Sequence, residues 1–217
     1  MMTQTIPGEL FLLLTNDAGR QDSTYYRKQA LAAAAVAELA LREKIDLSEE
    51  RTPKIQVRDT APTDLPVLDQ ALDALATLDG KAISTVISHR SMDLTEVIGE
   101  GFAAVGAVRR KDGWFTTSWP THDDTLERAL RARLAAGLTD PATASLQDGI
   151  LLELLRALGI AHRILKDDLP GLGRRELDQR IKALDLHHPA AKAVKRIMVD
   201  MTAVMMTTAA TTTTVIS

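Results

Sequence analysis

The residues best suited to chemistry lie between Arg109 and Trp119. Arg109, Arg110 and Lys111 come first, Trp114 and Phe115 follow, and Trp119 closes the segment. These types suit binding better than bond-making. An indole ring prefers a boundary between water and apolar material, where its face sheds water and its N–H keeps a partner. Neighbouring cations add attraction to an anionic surface. Asp112-Gly113 between apolar flanks is a hairpin signal, with Thr116 to Trp119 as the returning strand and Pro120 as its end. The residues alone leave three uses open. The rings dock on a bilayer, or they pack into the protein's own core, or the unpaired hairpin edges join another chain.

Elsewhere the signals for catalysis are weak. The five histidines, His89, His122, His162, His187 and His188, form no HExxH pair. No GxSxG supplies a nucleophile elbow. Asp123/Asp124 and Asp167/Asp168 are adjacent carboxylates, and adjacent residues on a helix face different ways, so they read as caps and solvated charge. Gly171-Leu172-Gly173 follows no strand and reads as a helix-breaking turn rather than a phosphate loop. Cysteine is absent, which removes disulfides, thiolate metal sites and cysteine nucleophiles. The expectation is a protein that is not an enzyme and holds neither cofactor nor metal.

Composition limits the partners. The chain has 217 residues, of which 45% are hydrophobic, enough for a sizeable core. Only 3% are aromatic, while alanine and leucine abound, and that mixture favours helix over strand. A net charge of −3 gives no global field for nucleic acid, so anion binding must come from a local patch. Leu10 to Leu14 is a short apolar run preceded by Glu9, unlike a signal peptide. A membrane span needs roughly 20 apolar residues. Met201–Ser217 is uncharged but holds seven threonines, so a buried helix with a frayed end is expected there.

The elements that must position the hairpin are mostly helices. Pro7 opens a short one, and Asn16-Asp17-Ala18-Gly19 reads as a turn. An alanine-rich helix spans about Thr24 to Lys44, with Leu31, Ala35, Leu39 and Ala40 on one stripe. Lys54 to Arg58 alternates as a short strand. Pro62 and Pro66 lead into a helix with Leu68, Leu72 and Leu75 inward. Leu94, Ile98 and Phe102 mark the helix before the hairpin. Asp123 and Asp124 begin the helix after it, which buries Leu126, Leu130, Leu134 and Leu138. Asp140-Pro141 starts a leucine-rich helix, and a charged helix runs from Arg174. Pro189 opens the last. Asp124–Arg128 and Glu127–Arg131 are spaced for helix-surface ion pairs.

Several segments together resemble the Golgi phosphoprotein 3 family, including its actinobacterial members. They are Glu9-Leu10-Phe11-Leu12-Leu13-Leu14 with Asn16-Asp17-Ala18-Gly19-Arg20, then Ala37-Glu38-Leu39-Ala40-Leu41-Arg42. Next come Ala61-Pro62-Thr63-Asp64 with Val67-Leu68-Asp69-Gln70-Ala71-Leu72, and Val105-Gly106-Ala107-Val108 before the hairpin. Asp140-Pro141 follows in order. The resemblance implies a mainly α fold, a central helical bundle wrapped by amphipathic helices with a small β-hairpin. It implies one domain over residues 1–210, with residues 211–217 as a threonine-rich tail. It also implies a cytoplasmic, peripherally membrane-associated protein that binds phosphatidylinositol 4-phosphate or another anionic lipid, and in Golgi members retention of glycosyltransferases. The eukaryotic basic N-terminal extension is missing, as expected of a bacterial member. At the family's headgroup positions stand Ser23, Ala32, Met92 and Thr95, none of them charged. Tyr25, Tyr26, Arg27 and Lys28 adjoin the first and are placed to substitute. Arg109, Arg110, Lys111, Trp114, Phe115 and Trp119 are then the expected membrane contacts. The other reading is a soluble adaptor that grips a protein client, or a second copy of itself, through the hairpin.

Overall fold

A computed structural model describes residues 4–15, 26–114 and 117–184, and residues 196, 197 and 199. The turn at Asn16, Phe115, the His187-His188 pair, the Met201–Ser217 stretch and the 211–217 tail lie outside the described residues. Within them the protein is mainly helical. Helices α1 (Ile6–Leu13) and α2 (Arg27–Leu41) lead into a two-stranded sheet, β1 (Ile45–Leu47) and β2 (Ile55–Val57). Helices α3 (Pro66–Thr77), α4 (Ile83–Ile87) and α5 (Thr95–Ala104) follow, then the hairpin β3 (Lys111–Asp112) and β4 (Thr117–Ser118). Helices α6 (Thr125–Thr139), α7 (Leu146–Ala157), α8 (Ala161–Leu165) and α9 (Arg174–Ala183) complete the order.

Helix α2 is the centre. Every residue from Ala30 to Ala40 is buried, so the helix has no solvent face there and not merely the single stripe expected. A helix apolar on all sides must be enclosed by others. Alanine supplies the means, because its small side chain lets α1, α3, α4 and α7 approach the same cylinder. Helix α1 is also buried along its length, and Phe11 stacks on Phe102 of α5 with centroids 5.9 Å apart.

Enclosing α1 and α2 raises the question of their polar groups, since a buried donor or charge without a partner is costly. Glu38 of α2 accepts from the free Ile6 N–H that begins α1, at 2.7 Å, and from Arg42 at 2.8 Å. Burial pushes its carboxyl upward against the pull of those bonds. Glu9 of α1 receives both terminal nitrogens of Arg133, at 3.0 and 2.7 Å, and Gln147 at 2.9 Å. The Nε of Arg133 donates to Asp148 at 2.7 Å. Asp148 in turn closes a capping box with Ser145 at the start of α7. One guanidinium from α6 therefore satisfies two buried carboxylates, one on α1 and one on α7.

Four details depart from the sequence reading. Strand β1, which was not anticipated, pairs antiparallel with β2, with Ile45 opposite Val57 and Leu47 opposite Ile55. Helix α2 stops three residues short of Lys44, and Glu43 takes a left-handed φ of 57° that turns the chain into β1. Leu126 is 39% exposed in the first turn of α6, so only Leu130, Leu134 and Leu138 of that row are core. Asp140-Pro141 opens a 3-10 turn, and Ser145 caps the α-helix proper. No helix of the described residues is long and apolar enough to cross a membrane.

Arg133→Ala would leave Glu9 and Asp148 buried without their cation. The expected loss is about 2–4 kcal/mol, below the largest values for buried pairs because the Arg133 side chain is itself 45% exposed. Urea unfolding measures it, and a loss under about 1 kcal/mol would mean that water already reaches both carboxylates.

Candidate functional site

The hairpin is built back along α5. Ala107 donates to Phe102 O, and Val108 bridges Thr121 at the base. Further out, Arg110 reaches Glu100 and then Glu96, one turn nearer the start of α5. The chain from Val108 thus runs antiparallel to α5 and carries its tip toward that helix's N-terminus. Lys111 pairs with Ser118 and Asp112 with Thr117. A two-residue Asp-Gly turn would have paired Lys111 with Trp114. In this register Trp114 lies outside the ladder, and it is 97% exposed.

Trp119 behaves in the opposite way. It is 2% exposed and lies in the main core, so its expected membrane contact is corrected. The cause is Gly99 on α5, where a Cβ would overlap the indole ring. Lacking one, α5 receives the ring flat against its backbone. The Arg110 guanidinium lies over the same ring, 5.7 Å from its centroid. Trp119 is therefore the bolt that holds the hairpin to α5, and Trp114 is the ring left to a partner.

The basic run is largely spent within the protein. Arg110 pairs with Asp112 at 2.9 Å, with Glu96 at 3.1 Å and with Glu100, and hydrogen bonds to Asp112 and Glu100 raise its pKa above the ordinary arginine value. Arg109 donates to Nε2 of His122 at 3.1 Å, which makes that nitrogen the acceptor. Lys111 is exposed and has no ion-pair partner among the described residues. Three cations thus stand near three carboxylates. The sequence reading missed Glu96 and Glu100, although their i, i+4 spacing on one helix opposite a basic strand was a usable signal.

The second group of expected residues meets at the N-terminal ends of α2 and α5. Tyr26 is the N-cap residue of α2 and gives it no side-chain cap. Lys28 pairs with Asp93 at 2.5 Å, and Asp93 accepts from Thr95 N at 3.2 Å. Arg27 lies over the Phe11 ring, 5.2 Å from its centroid. Its Nε and Nη2 are buried with no hydrogen-bond partner among the described residues, as are Gln29 Oε1 and Thr95 Oγ1. Burial lowers the Arg27 pKa to about 10, and Asp93 opposes the shift. Two helix N-termini and two cations face one carboxylate here, an arrangement that favours an anion. Of the family's headgroup positions, Ala32 and Met92 are core residues, and Ser23 lies outside the described residues. Among the described residues no cluster of three or more His, Asp or Glu could hold a metal ion.

A family model described as Golgi phosphoprotein 3 (GPP34) matches residues 6–201, most of the chain. No curated protein matches it.

Gly99→Ala is expected to push Trp119 off α5. In a Trp114→Phe background, where Trp119 is the sole indole, its fluorescence should shift to the red and become open to an aqueous quencher. Unchanged emission would remove Trp119 from its assigned role as the bolt. Thermal unfolding of the same variant should fall by several degrees, as for other overpacked cores.

Proposed function

Because the chain belongs to the Golgi phosphoprotein 3 family, we propose that it is a non-catalytic, peripheral membrane protein of the cytoplasmic face that binds anionic lipid headgroups. The observation that supports this best is a shared end. The hairpin runs back along α5, so exposed Trp114 is carried toward the same end of α5 at which Arg27, Lys28 and Thr95 meet. A ring that enters the headgroup layer and cations that hold one headgroup must act at one level of the molecule.

In this reading Trp114 inserts, with Phe115 beside it in sequence. Lys111 and Arg109 supply attraction at the surface. Arg110 contributes less, since three carboxylates surround it. Arg27 and Lys28, with Tyr26 at the helix start, take the headgroup. A phosphate monoester would accept from the idle Nε–H and Nη2–H of Arg27 in a charge-assisted pair. Phosphatidylinositol 4-phosphate fits that chemistry, as does any headgroup with an accessible monoester. The short β3–β4 ladder leaves both its outer edges without a strand, which favours a protein client or a second copy as the competing partner.

Flotation with liposomes separates the two. With phosphatidylcholine vesicles containing phosphatidylinositol 4-phosphate, the wild type should float and Trp114→Ala should stay at the bottom. Arg27→Gln should float only with vesicles of high overall negative charge, having lost headgroup selectivity and not adsorption. Equal flotation of wild type and Trp114→Ala would end the role of the hairpin. No flotation by either, with a molar mass that falls when residues 109–117 are deleted, would assign the hairpin to self-association.

A further inference from the structure

On another part of the molecule, α7, α8 and α9 enclose a crevice of about 450 Å³. That volume is in the range of small-molecule sites. Leu177 and Ile181 of α9 and Ala161 of α8 form its buried floor. Arg156, Arg174, Arg175 and His162 stand at its walls, and Asp178 is the one carboxylate among its lining residues.

The charges there are not balanced. Asp178 pairs with Lys182 at 2.8 Å and faces Arg156 at 3.8 Å. Those cations hold its carboxyl below the usual range, so it stays ionised. Arg156 is further engaged by Glu153 at 2.7 Å. Arg174 and Arg175 are exposed and make no hydrogen bond or close ion pair among the described residues, although the charge of Arg174 also acts on Asp178 from beyond contact distance. Gly159 takes a left-handed φ of 72° at the end of α7, and Arg174 Nη2 lies in contact range of that turn. Helix α9 begins at these arginines, and Gly173 offers no side chain to cap it. The first-turn N–H groups therefore add to the positive end. A second hollow of similar volume, between Thr139 and Arg180, is a useful contrast. Its carboxylates Asp168 and Glu176 already hold Arg131 and Arg180, so it has no spare cation at its mouth.

We propose that the crevice between α7 and α9 binds a phosphate monoester with a compact apolar body, its phosphate held by Arg174 and Arg175 and its body on Leu177 and Ile181. Two arginines and a helix start suit a dianionic, multi-oxygen group, and the apolar floor suits an organic substituent better than a free ion. None of the lining residues belongs to α2, α5 or the hairpin, so this site stands independently of the membrane reading.

Titration calorimetry on the full chain tests it with phenyl phosphate, inorganic phosphate and phenol. Phenyl phosphate should bind tightest, and phenol should not bind. The double variant Arg174→Gln/Arg175→Gln alters exposed side chains, so it should fold normally and weaken phenyl phosphate by roughly tenfold or more, the loss expected for charge-assisted bonds. Asp178→Asn should strengthen binding, since it releases Arg156. Arg58→Gln, which touches only the β1–β2 sheet, should bind like the wild type. Phosphatidylcholine vesicles doped with phosphatidic acid distinguish the source. In a Trp114→Ala/Arg27→Gln background, flotation that is lost on adding the arginine double change identifies a lipid monoester, and flotation that is unchanged or absent in both identifies a soluble one. Absence of saturable phenyl phosphate binding overturns the proposal, and so does equal affinity in wild type and double variant.

Discussion

Helix α2 has no solvent face from Ala30 to Ala40, and the rest of the structure answers the need to enclose it. Alanine makes close approach cheap in volume, but burial of a whole helix and of α1 beside it strands polar groups that water would otherwise satisfy. The buried carboxylates are met by specific partners, while Arg27 and Gln29 at the start of α2 keep buried atoms without one. Glu38 caps the start of α1 from within α2, and Arg133 reaches in from α6 to hold Glu9 and Asp148. These ion pairs replace lost hydration more than they add stability. Their consequence is geometric, because they fix how α1, α6 and α7 sit around the centre.

The same economy of small residues sets the hairpin. A two-stranded ladder of two residues per strand cannot hold itself in water. It is held by Trp119, which gains a full ring's burial only because Gly99 presents bare backbone. The two tryptophans thus have opposite tasks five residues apart. One gives up its surface to orient the hairpin, and the other keeps its surface because the register leaves it outside the ladder. The family resemblance reads the hairpin as a unit, and the structure divides it.

Much of the fold was legible in residue patterns. The rows Leu68-Leu72-Leu75 and Leu94-Ile98-Phe102 are buried as their spacing predicts, and Asp124–Arg128 forms its i, i+4 pair at 2.9 Å. The short elements β1, α4 and α8 were not legible, because so few residues carry no period and tertiary contacts decide their state, although the alternation of Lys54 to Arg58 did mark β2. The site was legible in type but not in accessibility. Nothing in the order Trp114, Phe115, Trp119 says which ring finds a glycine across the chain. The basic run by itself did not pick out Glu96 and Glu100, which lie 14 and 10 positions before Arg110; only their i, i+4 spacing on one helix pointed to them.

Charge in this protein therefore has to be judged by what remains after internal pairing. Around the hairpin three carboxylates gather on Arg110 and offset the charge of its neighbours Arg109 and Lys111, so the long-range field there is weak, in keeping with a net charge of −3. What the hairpin can offer a bilayer is mainly the transfer of an indole, which salt does not screen. Arg27 is the reverse case. It is a single guanidinium, but burial lowers its pKa to about 10 and leaves two donors idle. In that environment an arriving anion regains both hydrogen bonds and Coulomb energy at low screening. One buried cation is thus better placed to discriminate among headgroups than three exposed ones, and the exposed ring is better placed to supply adhesion. Division of the two tasks between α2 and the hairpin follows from where each charge is solvated.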